Sequence, residues 1–142
     1  MYKDKKIHSH SMRVRYAETD QMGVVHHGNY PTFLEEARTA WLRDMGISYK
    51  KMEASGIGLP ITLVSLKYKK SALYDDVLTI KTILSKIPNV RLEFDYEIYN
   101  EAEELLVTAK TELVFINMQT KRPMKAPEYF LEVLENWKNL DD

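Results

Sequence analysis

The chain has 142 residues, 44% of them hydrophobic and 29% charged, with a formal net charge of -1. This length and apolar share suit one domain with a real core, expected to occupy 1–142 with its packed part at about 9–137. The near-neutral balance excludes the basic excess of a general nucleic-acid binder. The absence of cysteine excludes disulfides, thiolate metal sites and a Cys nucleophile.

The polar opening, MYKDKKIHSH, lacks the apolar core of a signal peptide, and no stretch approaches the roughly 20 apolar residues of a membrane span. A cytoplasmic protein is therefore expected. His8 and His10 would put two imidazoles on one strand face, which without a third ligand makes a poor metal site.

From about Ser9 to Ala17, Met12, Val14 and Tyr16 alternate with Ser11, Arg13 and Arg15, the pattern of a half-buried strand. A turn-rich stretch follows, Glu18 to Asn29, holding two glycines and two adjacent histidines. The period then changes. Phe33, Leu34, Ala37, Ala40, Trp41 and Met45 recur at helical spacing, with Pro31 in the first turn and Glu35 and Glu36 near the positive end of the dipole. Gly46 is placed to end this helix, with Ile47 supplying the apolar contact of a Schellman cap. A short second helix is expected near Ser48 to Ala54, closed by Gly56 and Gly58.

Residues Ile61 to Asn117 read as four strands. Val64, Leu66 and Tyr68 share one face of the first; Leu78, Ile80 and Leu84 alternate in the second; Val90 to Ile98 alternate cleanly in the third. Leu106 to Ile116 turns apolar on both sides, as a central strand does. After Pro123 and Pro127, Phe130, Val133, Leu134 and Trp137 mark a last helix. The short turns between the four strands predict an antiparallel meander. One long helix with a wide apolar face has only that sheet to bury it. The expectation is an α+β fold: a five-stranded antiparallel curved sheet around a central helix, with a short C-terminal helix.

Chemistry concentrates between the first strand and the long helix. There Asp20, His26 and His27, two glycines and a helix start fall within a dozen or so positions. A helix N-terminus offers unpaired N–H groups that can hold an oxyanion, and a nearby Asp can act as nucleophile or as general base. The plainer reading of the same residues is an Asx turn at Asp20 and a buried or incidental histidine. Lys67, Lys69 and Lys70 read most simply as a solvated strand end. No Gly-x-Gly-x-x-Gly, P-loop or His-Glu-x-x-His is present, so no metal or nicotinamide cofactor is expected.

The stretch Val14-Arg15-Tyr16-Ala17-Glu18-Thr19-Asp20-Gln21-Met22-Gly23-Val24-Val25-His26-His27-Gly28-Asn29-Tyr30, followed by Glu35-Glu36-Ala37-Arg38, resembles the signature of the 4-hydroxybenzoyl-CoA thioesterase-like hot-dog family. Relatives in that family include acyl-CoA thioesterases associated with the bacterial Tol–Pal system. A second block, Ser71 to Ile80 with its Asp75-Asp76-Val77-Leu78 turn, resembles the family's next landmark in the same register. The likeness runs from roughly Met12 to Phe130.

The resemblance implies hydrolysis of an acyl-CoA thioester, coenzyme A being part of the substrate and no separate cofactor being needed. Asp20 matches the catalytic aspartate, and His27 matches a position close to the thioester. Gly28, Asn29 and Tyr30 match the helix entry whose amides face the thioester carbonyl. Lys86 and Arg91 lie where relatives bind the coenzyme A phosphates, and Leu59, Pro60, Ile61 and Val64 are candidates for the acyl pocket. A homodimer with sites at the shared interface is implied, commonly assembled to a tetramer. Two other readings stand beside this one: a hot-dog dehydratase or hydratase, and a non-catalytic acyl-thioester binding module. An Asp20→Asn variant separates a thioesterase from a binder.

Overall fold

A computed structural model describes residues 6–84 and 86–139. Alternation produces β1 (Lys6–Arg13), displaced toward the N-terminus from the expected Ser9–Ala17. Tyr16–Glu18 forms a 3₁₀ turn instead. The cause is Glu18, a buried carboxylate that folds the chain back: Oε1 accepts from the Arg15 backbone N–H at 2.7 Å and Oε2 from the Arg15 guanidinium at 3.2 Å.

Helix α1 (Tyr30–Asp44) buries Phe33, Leu34, Ala37 and Trp41, the expected apolar stripe. Its end is a Schellman motif, with Ile47 N–H donating to Leu42 O at 2.9 Å and Gly46 N–H to Arg43 O at 3.0 Å. Helix α2 (Tyr49–Ala54) starts on Ser48, whose hydroxyl accepts from Lys51 N–H at 3.2 Å.

The remaining elements are β2 (Ile57–Gly58), β3 (Ile61–Tyr68), β4 (Val77–Leu84), β5 (Arg91–Tyr99), β6 (Leu105–Val114), β7 (Ile116–Asn117), β8 (Arg122–Pro123) and α3 (Glu128–Asn139). Five strands form an antiparallel sheet in the order β1-β4-β5-β6-β3, and β2, β7 and β8 make a small separate one. This is the expected α+β hot-dog architecture, with one correction. The four later strands are not a continuous meander: β4, β5 and β6 are, but β3 crosses to the far side of β6, and β1 takes the place beside β4. The segment Lys69–Asp76 is long enough for that crossing, and β6 is left with a hydrogen-bonded neighbour on each side, β5 and β3.

Burial alternates strictly along β4 and β5, and α1 packs on the apolar face of the sheet. Trp41 stands at the centre, its ring 5.1 Å from Phe94 and 5.7 Å from Trp137, so α3 closes the core from the far side of α1. Truncating such a side chain to alanine costs about 3–5 kcal/mol. On β1, His8 and His10 do share a face. Each imidazole is spent on α1, His8 Nε2 lying 2.7 Å from Asp44 and His10 Nε2 2.7 Å from Glu36.

The β3 edge is different. Ile61, Leu63, Val64 and Tyr68 are all at least 40% exposed, an open apolar edge strand. Among the described residues no helix is long and apolar enough to cross a membrane.

Candidate active site

The chain from Thr19 to Val25 is a tight hairpin. Thr19 and Val25 bridge, Asp20 N–H donates to Val24 O at 2.9 Å, and Gly23 N–H donates to Asp20 O at 3.0 Å. Gly23 has φ +79°, a conformation that side chains with a Cβ rarely adopt, which is why glycine closes the turn. The hairpin is pinned at both ends. Glu18 O accepts from His26 N–H at 3.0 Å and from the Asn29 side chain at 2.8 Å, while Val25 N–H donates to Ala72 O at 2.9 Å.

Asp20 sits at the first position of this turn. Its Oδ1 accepts from Met22 N–H at 2.8 Å, so the Asx-turn reading is correct. It is also incomplete. Among the described residues Oδ2 has no partner, and Asp20 lines a pocket of about 340 Å³ shared with His27, Tyr30, Tyr68, Lys69 and Lys70. One oxygen anchors the side chain, and Asp20 is an exposed residue at the border of the cavity.

The helix start is built in two stages. His27–Asn29 is a 3₁₀ turn feeding directly into α1. Within it Asn29 N–H donates to His26 O at 3.0 Å, and Tyr30 N–H to His27 O. Those two amides, both candidates from the sequence, are thus occupied. The N–H groups of His27 and Gly28 have no acceptor among the described residues and remain the open donors of this end. Gly28 is also a close-approach position, since a Cβ there would lie 3.2 Å from the His26 ring. Tyr30 contributes its side chain: it is buried, its hydroxyl accepts from Ala72 N–H at 3.3 Å, and burial raises its pKa, keeping it neutral. Tyr68 packs 5.5 Å from the Tyr30 ring and donates its hydroxyl to His27 O at 3.3 Å.

Leu59 and Ile61 line a second, more apolar pocket of about 300 Å³ together with Arg38 and Tyr49. Pro60 is exposed, its carbonyl accepting from Val114 N–H at 3.1 Å, and Val64 stands on the open β3 edge. Lys86 is ion-paired to Glu93 at 2.9 Å, and Arg91 is exposed at the start of β5. Neither borders the Asp20 pocket. The register explains why: Arg91 pairs with Val114 and Ile61 with Leu113, whereas Tyr68 pairs with Val107, so Arg91 lies at the opposite end of the sheet. The cations that do border the Asp20 pocket are Lys69 and Lys70, the latter paired to Glu104. Their signal in the sequence is a cluster of three lysines in four positions just before Ser71. What it lacks is any indication that β3 returns beside the Asp20 hairpin.

The arrangement gathers a carboxylate and two lysines around one pocket, beside the turn that opens α1. Known proteins carry the same scaffold. Residues 14–134 match the thioesterase-like superfamily. YneP of Bacillus subtilis, whose name provisionally assigns it acyl-CoA thioesterase activity, is 34% identical over 84% of this chain and 86% of its own. The acyl-CoA thioester hydrolase YbgC of Escherichia coli is 31% identical over 82% of this chain and 87% of its own. A DHNA-CoA thioesterase structure from Staphylococcus aureus superposes with a TM-score of 0.85 at 38% identity, covering 95% of this chain and 91% of that one. The match to more than half of the sequence, together with relatives above 30% identity along most of their own length, establishes that the chain belongs to the thioesterase-like superfamily.

Proposed function

We propose that this protein is an acyl-CoA thioesterase of the 4-hydroxybenzoyl-CoA thioesterase-like branch, using Asp20 as its reacting carboxylate. The observation that supports the reading is the position of Asp20, with Oδ1 held by Met22 N–H and the residue lining a pocket that His27 and Tyr30, at the start of α1, also border. In the base mechanism, Asp20 takes a proton from water as its oxygen bonds to the thioester carbonyl carbon. In the nucleophilic one, Asp20 itself forms that bond, giving a mixed anhydride that water then opens. Either way the carbonyl oxygen becomes an oxyanion facing the His27 and Gly28 amides, and the C–S bond breaks to release the coenzyme A thiolate. A thiolate leaves readily, so little acid assistance is needed; His27 orients the carboxylate or the thioester.

We further propose that the functional unit is a homodimer joined along β3 and assembled further to a tetramer. The support is the open apolar edge at Ile61, Leu63 and Val64. A two-fold axis near Val64 would pair β3 antiparallel with its copy. The Ile61 end of one copy, with its apolar pocket and Arg91, then lies beside the Tyr68 end of the other, with Asp20 and Lys69. On this reading both pairs of cations, Lys69 and Lys70 on one side and Lys86 and Arg91 on the other, converge on the coenzyme A phosphates, and Leu59, Pro60, Ile61 and Val64 border the acyl group.

The test is thiol release from a panel of aliphatic and aryl acyl-CoA substrates. An aryl member is included because the Staphylococcus aureus neighbour is named for one. Turnover that disappears in Asp20→Asn while substrate binding persists supports the proposal. Binding without turnover in the wild type indicates a binding module, and hydration of an enoyl thioester indicates a hydratase; either result overturns it.

A further inference from the structure

Arg38 is a buried cation with no counter-ion among the described residues. It comes from the middle of α1, keeps 8% of its surface exposed, and among the described residues makes one hydrogen bond, from Nη1 to the Tyr96 hydroxyl at 3.2 Å. The Tyr96 hydroxyl lies 2.7 Å from Thr111 Oγ1, so the chain of contacts ends on neutral groups. No described carboxylate comes within ion-pairing distance of the guanidinium. A guanidinium does not deprotonate, and burying its charge unpaired is unfavourable.

Its surroundings say where the missing partner would come from. Arg38 lines the apolar pocket of about 300 Å³, whose walls include Trp41, Phe94 and Leu113. Arg38 is one of the residues that line this cavity, and among the described residues its other guanidinium nitrogens have no hydrogen-bond partner. Glu35 shares the pocket from one turn earlier, but it is exposed and makes no ion pair with Arg38. An all-hydrocarbon occupant would strip water from those donors and give nothing back.

We infer that Arg38 reads the far end of the acyl group, and that the preferred substrate carries a carboxylate remote from the thioester. This rests on the thioesterase reading and refines it. In the β3-paired dimer of that reading, the apolar pocket of one copy lies beside the Asp20 pocket of the other, so an acyl chain attacked at Asp20 lays its hydrocarbon on those apolar walls and its terminal anion on the guanidinium of the other copy.

The experiment compares adipyl-, suberyl- and sebacyl-CoA with hexanoyl-, octanoyl- and decanoyl-CoA. At the best length, the wild type should favour the dicarboxylic member by about tenfold or more in kcat/KM. Arg38→Met, an apolar replacement of similar reach, should abolish or invert that preference, and Arg38→Lys should restore part of it. If the wild type cleaves the alkyl member as well or better at every length, the inference is wrong, a result that needs no variant to fold. If Arg38→Met lowers Tm but leaves the ratio unchanged, Arg38 only ties α1 to Tyr96, and the inference is equally wrong. Should no thioester in either series or in an aryl panel be cleaved, the thioesterase reading fails separately. Calorimetric titration of the wild type with sebacyl- and decanoyl-CoA then decides the role of Arg38 by the same tenfold criterion.

Discussion

Met22 donates its backbone N–H to Oδ1 of Asp20 at 2.8 Å, and Asp20 borders the pocket that His27 and Tyr30 share at the start of α1. The bond occupies one carboxylate oxygen and leaves Oδ2 without a partner among the described residues. Asparagine keeps a carbonyl oxygen able to accept from Met22, but it has no anionic oxygen to present.

Asp20→Asn is accordingly expected to fold with a Tm near that of the wild type and to lose about a hundredfold or more in kcat. Asp20→Ala loses the same activity and also the Asx turn, for a cost of about 1 kcal/mol. Thiol release and thermal unfolding, measured on both variants, separate the two roles. An Asp20→Asn variant that retains most of its kcat rules out this carboxylate as the reacting group.

Tyr68 joins the edge strand to the turn that opens α1 through its hydroxyl on His27 O at 3.3 Å. Tyr68→Phe removes that tie while keeping the ring against Tyr30. The expected loss is about 1 kcal/mol, read as a several-fold fall in kcat/KM with little change in secondary structure by circular dichroism. An unchanged kcat/KM would mean that the turn opening α1 holds its shape without this bond.

Much of this geometry is legible in the residues. The alternation in β4 and β5, the helical period from Phe33 to Trp41 and the Gly46-Ile47 ending follow from burial and capping, which are local and periodic. What local rules do not contain is which strand lies beside which. The apolar faces of β3 would suit either β4 or β6, and the choice of β6 depends on the crossing at Lys69–Asp76. Lys69 and Lys70 enter the site only because of that crossing, so their spacing reads as a solvated strand end. The two-residue strands β2, β7 and β8 are too short to show any period. Arg38 escapes for a different reason: on the helical wheel it is simply a charged residue, and its burial depends on Tyr96 waiting across the core.

The β3 edge gives the third prediction. Val64→Lys places a charge on the strand where two copies would pair, and such a charge blocks edge-to-edge association. Light scattering should show the wild type as an oligomer and this variant shifted toward the monomer, with kcat/KM falling in parallel, since in the proposed dimer each site would draw on both copies. A wild type that is monomeric at micromolar concentration would refute the shared-site arrangement.

Lys69, just past β3, and Arg91, which opens β5, should act on binding rather than on chemistry. Lys69→Ala and Arg91→Ala are each expected to raise KM about five- to tenfold with kcat nearly unchanged, and the effect should shrink as ionic strength rises. Initial-rate measurements at low and physiological salt test this. A fall in kcat at constant KM would place the residue in the reaction itself.

Lys86 offers a pH-dependent test of its structural share. Its hydrogen bond holds the Glu93 carboxyl below the usual glutamate range, with burial working in the opposite direction. Because the folded-state pKa is depressed, the stabilisation is present above the unfolded value of about 4.3 and is lost as pH falls through the folded one. Both side chains reach solvent, so the pair contributes less than about 1 kcal/mol. Lys86→Met should therefore be slightly less stable than the wild type at neutral pH, and the difference should close in acid once Glu93 is protonated in both states. Urea unfolding across that range measures it. A gap that persists undiminished in acid would show that Lys86 stabilises the fold through its alkyl chain rather than through Glu93.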